Sequence, residues 1–212
     1  MKSSTTTFPK NELANVITHG LALLLSIIAT PILIAVGAQN GSIVQVLGLG
    51  VFCFSMLMVY TSSTIFHSIL DERLKHTFRI IDHISIYFLI AGTHTPLVLL
   101  YFNQPRGWFF LLGLWSLVLV GIIFKLFFTG RYEFFSISIY VAMGWSGFLF
   151  LPQMFEKMDS SSIYWLLAGG ILYSVGIIFY VWKKIPYHHA IWHLFVIGGT
   201  TAHFIAILMC FL

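Results

Sequence analysis

Seven long apolar runs, separated by short polar breaks, take up nearly the whole chain. They cover residues 13–37, 42–70, 77–102, 107–128, 133–151, 161–182 and 188–212. Each offers roughly the 20 residues that an α-helix needs to cross about 30 Å of hydrocarbon. The breaks carry turn and charge signals: Gln39-Asn40-Gly41, residues 71–75, Gln104-Pro105-Arg106-Gly107, Gly130-Arg131, residues 152–160 and Lys183-Lys184-Ile185-Pro186. Backbone groups facing lipid must be satisfied within their own segment, so helices are the economical solution. The expected fold is all-α: a polytopic membrane protein built as a seven-transmembrane helix bundle. Residues 1–12 form a polar tail and residues 13–212 a single domain, with no internal repeat.

Composition agrees. The chain is 58% hydrophobic and 8% charged, against a charged share of about 25% in soluble domains. The first apolar run is long and lacks a small-residue cleavage site, which reads as a retained anchor. The net charge of +4 does not point to nucleic acid, because the Lys and Arg sit in short loops; membrane lipids are the expected partners. Cys53 and Cys210 lie inside apolar runs and read as small buried hydrophobes.

The cations set an expected orientation. Lys2, Lys10, Arg73, Lys75, Arg79, Lys125, Arg131, Lys183 and Lys184 fall on one side, Arg106 and Lys157 on the other. By the positive-inside rule the N-terminus is cytoplasmic and the C-terminus outside.

That threading lets depth be read. His67 lies near the cytoplasmic end of the second run, Asp82 about five residues into the third, and His189 and His193 in the first two turns of the seventh. At 1.5 Å per residue all four fall within roughly 10 Å of the cytoplasmic boundary. His189 and His193 are four apart, so their imidazoles share one helix face. Asp82 is the one carboxylate well inside a run. The expected centre is Zn2+ held by His67, His189 and His193, with a fourth position left open, as in catalytic sites. Asp82 is then the general base or an anchor for water. Ser63, one turn before His67, is placed to bond that water or a substrate carbonyl. There is no His-Glu-x-x-His pattern, since Ala190 stands where a soluble metalloprotease keeps its glutamate.

Blander readings stand beside these. A histidine pair at this spacing is often only interfacial, and a helix serine commonly bonds its own i−4 carbonyl. His188 and His83 face away, and His76 falls in a loop. His94 and His203 lie about 18 and 15 Å along their helices from Asp82 and His193. His94 precedes Pro96, whose kink calls for a polar partner. His19 could reach the site from the first run. Arg79 and Lys125 are expected to snorkel.

At these residues the sequence resembles the hemolysin III family, the bacterial branch related to the adiponectin and progestin receptors and, more distantly, to the alkaline ceramidases. The resemblance covers nearly the whole chain. It rests on Glu12-x-x-Asn15-x-x-Thr18-His19-Gly20, on Ser63-Thr64-Ile65-Phe66-His67-Ser68, and on Asp82-His83 with Ala91-Gly92-Thr93-His94-Thr95-Pro96. His189-Ala190-Ile191-Trp192-His193 and Ala202-His203-Phe204 complete it. It implies a seven-helix fold with zinc near the cytoplasmic face, its three histidines mapping onto His67, His189 and His193, its aspartate and serine onto Asp82 and Ser63. His94 departs from the tyrosine that bacterial relatives commonly carry. The resemblance also implies the bacterial cytoplasmic (inner) membrane, a link to membrane-lipid homeostasis and, from the family name, haemolysis.

The leading expectation is a zinc-dependent hydrolase of lipid amide or ester bonds. A non-enzymatic sensor or receptor-like protein with structural zinc is the alternative, although structural sites usually have four protein ligands. A haemolytic membrane-perturbing protein is the third reading, yet a pore needs a polar stripe along several helices. The seventh run offers no lysine for a retinal Schiff base.

Overall fold

The computed structural model describes residues 8–212; Lys2 and most of the expected polar tail lie outside them. Among the described residues eight α-helices and one 3-10 segment are formed, and seven of the resulting helical spans are long and apolar enough to cross a membrane. The protein is therefore an all-α, seven-helix integral membrane protein.

The first three helices, α1 (Lys10–Asn40), α2 (Ile43–Ser68) and α3 (Glu72–Tyr101), are joined by very short turns. Ser42 opens α2 with a capping box, its side chain accepting from Gln45 N while Gln45 Oε1 accepts from Ser42 N at 2.8 Å. Asp71 caps α3, accepting from Leu74 N at 2.9 Å. That cap moves the start of α3 five residues ahead of its expected position. The charged stretch read as a loop is instead the first turn and a half of the helix, and His76 is helical. The stretch is helical because Asp71 satisfies one of the orphan N–H groups that a helix start leaves open. The same extension occurs at α1, which begins at Lys10 with Glu12 in its first turn, where a carboxylate is favoured by the helix dipole.

The remaining elements are α4 (Pro105–Phe128), α5 (Glu133–Trp145), a 3-10 segment (Ser146–Phe150), α6 (Leu151–Lys157), α7 (Ser160–Val181) and α8 (His188–Met209). The fifth span, expected as one helix over residues 133–151, is broken. Pro152 sits in the first turn of α6; it cannot donate to the preceding turn and crowds that turn's carbonyl. The chain tightens into a 3-10 turn just before it.

In the apolar window of α3 67% of residues are buried, against at most 44% in any other span, so α3 is the central helix. It packs on α2 and α4, α1 lies on α2, and α7 pairs with α8, which closes against α1. A Cβ on Gly121 of α4 would sit 2.6 Å from the Tyr87 ring of α3; the missing side chain is what admits that ring. Side chains such as Leu25, Ile28, Phe109 and Phe127 point outward and stay exposed, the arrangement expected where lipid, not water, is the solvent. Pro96 leaves α3 one hydrogen bond short, and the turn around it recruits side chains. His94 Nδ1 donates to Ile90 O at 2.8 Å and Thr95 Oγ1 to Ala91 O at 2.8 Å. Cys53 and Cys210 are both free.

Candidate metal centre

Two helices deliver three imidazoles to one place. His67 lies in the last turn of α2, and His189 and His193 in the first two turns of α8. Their ring centroids are 4.6–5.1 Å apart, and one nitrogen from each ring lies within 4.8 Å of the others. That is close enough to bind one metal ion. The start of α8 is set by Tyr187, whose φ of 56° turns the chain left-handed directly before His188. For a non-glycine residue this costs about 1–2 kcal/mol. His188 itself points away from the group, its Nδ1 donating to Phe179 O at 3.1 Å.

Helix α1 fixes two of the rings. Glu12 Oε2 lies 2.6 Å from His67 Nδ1, and Glu12 Oε1 is ion-paired with Lys75 of α3. A carboxylate so held has only acceptors, so Nδ1 carries the proton and Nε2 the lone pair. The Asn15 amide, 3.3 Å from the same Nδ1, is then a contact rather than a bond. His67 Nε2 is buried with no hydrogen-bond partner. On α8, His193 Nδ1 lies 3.0 Å from Thr18 Oγ1. The Thr18 hydroxyl donates to the backbone carbonyls of Ala14 and Asn15, so it accepts from His193 and again leaves Nε2 as the free acceptor. His19 stacks on His193 with centroids 3.5 Å apart and planes 13° from parallel.

A buried nitrogen lone pair without a partner is costly in an apolar interior. Here its neighbours are two further imidazoles, and neutral nitrogen donors are what zinc takes. Carboxylate and hydroxyl groups behind the rings are the usual means of orienting metal-bound histidines. The donor set therefore fits a zinc ion. In the sequence Glu12, Asn15 and Thr18 stand only as parts of a motif; their i, i+3, i+6 spacing, which puts them on one face of α1, is the signal for their supporting role.

Asp82 and Ser63 stand on the wall of a cavity of about 160 Å³ that also reaches His19, His189 and His193. Ser55, Thr64 and Ser68 of α2 donate to the carbonyl one turn back; Ser63 instead lies beside the Asp82 carboxyl. The cavity runs along α3 and α8 to Thr93, His94, Trp145 and His203. A second cavity of about 90 Å³ shares those four residues and continues to Phe102, Phe150 and Met158. The two chambers meet at Trp145, whose Nε1 donates to Ser174 Oγ at 3.1 Å.

A seven-helix membrane bundle with a largely buried histidine triad at one end is the class these observations define. The profile of the Haemolysin-III related family matches residues 8–204, and the chain belongs to that family. It is 46% identical over 199 residues to the "Hemolysin-3 homolog" of Bacillus subtilis, covering 94% of this chain and 93% of the relative. It is 44% identical over 203 residues to "Hemolysin-3" of Bacillus cereus, covering 96% and 93%. The human "Monocyte to macrophage differentiation factor" is more distant, 28% identical over 167 residues, with 74% of this chain and 67% of that protein aligned. No solved structure matches the chain.

Proposed function

We propose that this protein is a zinc-dependent hydrolase of lipid amide or ester bonds, serving membrane-lipid homeostasis in the bacterial cytoplasmic membrane. The observation that carries the reading is the unpartnered, buried Nε2 of His67, gathered with nitrogens of His189 and His193 at the end of a cavity that Asp82 and Ser63 line. His67, His189 and His193 hold the ion. Zinc on three neutral imidazoles supplies a Lewis acid that polarises a carbonyl and makes water more acidic.

The chain's own groups do the rest. Asp82 takes and returns the proton, and Ser63 beside it orients the carboxyl group or the substrate carbonyl. Glu12 and Thr18 keep the His67 and His193 rings in the tautomer that binds metal. The apolar walls along α3 and α8 receive an acyl chain and exclude bulk water from the reacting end. With the N-terminus cytoplasmic and the C-terminus outside, this end lies at the inner leaflet, where the headgroup and chain of a lipid meet.

The test is turnover of a panel of ceramides and phospholipids by the purified protein, metal-loaded and metal-stripped. Turnover should require metal and fall at least about 100-fold in Asp82→Ala, the scale of a lost general base. Fully loaded protein that turns over no lipid in the panel, and does not differ from Asp82→Ala, would sink the hydrolase reading in favour of a structural ion in a sensor.

A further inference from the structure

Lys125 was expected to snorkel toward the headgroups from the last turn of α4. It does not. Its side chain is among the largest fully buried ones, with 2% of the residue exposed. Its Nζ donates to Ser136 Oγ of α5 at 2.7 Å and sits 5.8 Å from the centre of the Tyr140 ring. An ammonium has three donors, and Ser136 accepts from one.

Among the described residues no ion pair neutralises this charge. The side-chain ion pairs among the described residues belong to Glu12 and Glu133, and Lys125 is in none of them. Glu133, which lines the same cavity, directs one oxygen to Arg79 at 3.3 Å and the other to Lys183 at 3.7 Å. Buried cations are ordinarily paired or bound to a ligand, because desolvating one alone is very unfavourable.

A second unsatisfied group belongs to a residue on the wall of the same cavity. His83 Nδ1 is buried without a hydrogen-bond partner, while the His83 carbonyl accepts from the Tyr140 hydroxyl at 2.9 Å. Tyr140 therefore ties His83 to the ring on which Lys125 rests. All four residues line the cavity that holds Asp82 and His189. His83 follows Asp82 on α3, so this corner lies at the same depth as the histidine triad, turned about 100° around the helix.

We propose that Lys125, Ser136 and His83 form an anion subsite that holds the phosphate of a membrane lipid. Lys125 keeps two N–H groups beyond its bond to Ser136, His83 offers an unpartnered ring nitrogen on the wall of the same cavity, and lysine binds phosphate as a point charge. Away from the polar groups at its ends the cavity is mostly apolar, so a lipid brings both the counter-charge for Lys125 and the chains that fill the remaining space. An inorganic ion brings only the first. This deepens the reading of the cavity as a lipid site by naming the headgroup, but it needs neither metal nor turnover.

The experiment is binding to the delipidated full-length protein in detergent, read by native mass spectrometry and by thermal shift. The probes are dioleoyl phosphatidic acid, dioleoylglycerol, oleate and inorganic phosphate. Phosphatidic acid should bind about tenfold tighter than dioleoylglycerol, the scale of one charge-assisted contact. Lys125→Met, similar in volume, should bring that ratio to about one, and Lys125→Arg should keep most of it. His83→Phe, which leaves the charge in place, should lower the ratio a few-fold and guards against misfolding of the Lys125 variants. Equal binding of the two diacyl lipids, or a preference that survives Lys125→Met, overturns the proposal. Stabilisation by inorganic phosphate or oleate equal to that by phosphatidic acid overturns it as well, assigning free phosphate or a carboxylate instead. Because metal and catalysis are not read, failure here leaves the hydrolase reading standing, and failure of that reading leaves this one.

Discussion

His67 Nδ1 donates to Glu12 Oε2 across 2.6 Å, joining the last turn of α2 to the first turn of α1. Lys75 of α3 holds the other oxygen of the same carboxylate. Three helices thus meet at one carboxyl group whose direct effect is on the imidazole behind which it stands.

Removing that carboxylate should weaken metal binding while leaving every metal-ligating nitrogen in place. Glu12→Ala should lower zinc affinity about 10–100-fold, with a smaller loss in Glu12→Gln, whose amide oxygen still accepts from Nδ1. Competition with a chromophoric chelator measures this. Unchanged affinity in Glu12→Ala would remove Glu12 from any supporting role.

Acid should strip the metal. Imidazole binds metal only when neutral, so protons and zinc compete for the same three nitrogens. The retained zinc, near one ion per chain at neutral pH, should fall as the pH is lowered. Metal analysis after equilibration at each pH tests it. A His189→Ala, His193→Ala double variant should hold almost none at any pH; full retention by that variant would place the ion elsewhere.

The contact between α3 and α4 should be intolerant of volume. A Cβ on Gly121 meets the Tyr87 ring at 2.6 Å, and Tyr87 is fully buried, so the ring has nowhere to retreat. Gly121→Val should destabilise the protein by about 1–3 kcal/mol, the usual range for overpacking. Thermal unfolding in detergent would register it as a lowered midpoint. A midpoint equal to that of the unaltered chain would mean that the two helices part more easily than this packing implies.

Trp145 divides the space that a chain can occupy. It borders both chambers, so Trp145→Ala should merge them and shift lipid preference toward longer acyl chains. A ladder of chain lengths, compared by retention on the purified protein, reads this directly. The same preference in both proteins would assign the length limit to another residue.

Topology should follow the cations. With most Lys and Arg at the histidine end, a periplasm-type alkaline phosphatase fused after Leu212 should be active outside the membrane, and a fluorescent protein placed before Met1 should mature in the cytoplasm. Activity in the reverse pattern would place the triad at the outer leaflet.

The seven spans and the residues of the triad were legible in the chain because both depend on local rules. Hydrocarbon thickness fixes how long an apolar run must be, and helical spacing fixes which side chains share a face. The 3-10 break before Pro152 and the early starts of α1 and α3 were less visible, since a cap or a proline shifts a boundary without changing hydropathy. What the tertiary structure alone decided is who stands behind whom. Nothing in the order of residues shows that Glu12 meets His67, that Lys125 turns inward to Ser136, or that Trp145 closes one chamber from the next. Those pairings join helices far apart in sequence, and they are settled by how the helices lean on α3 once the whole bundle has packed.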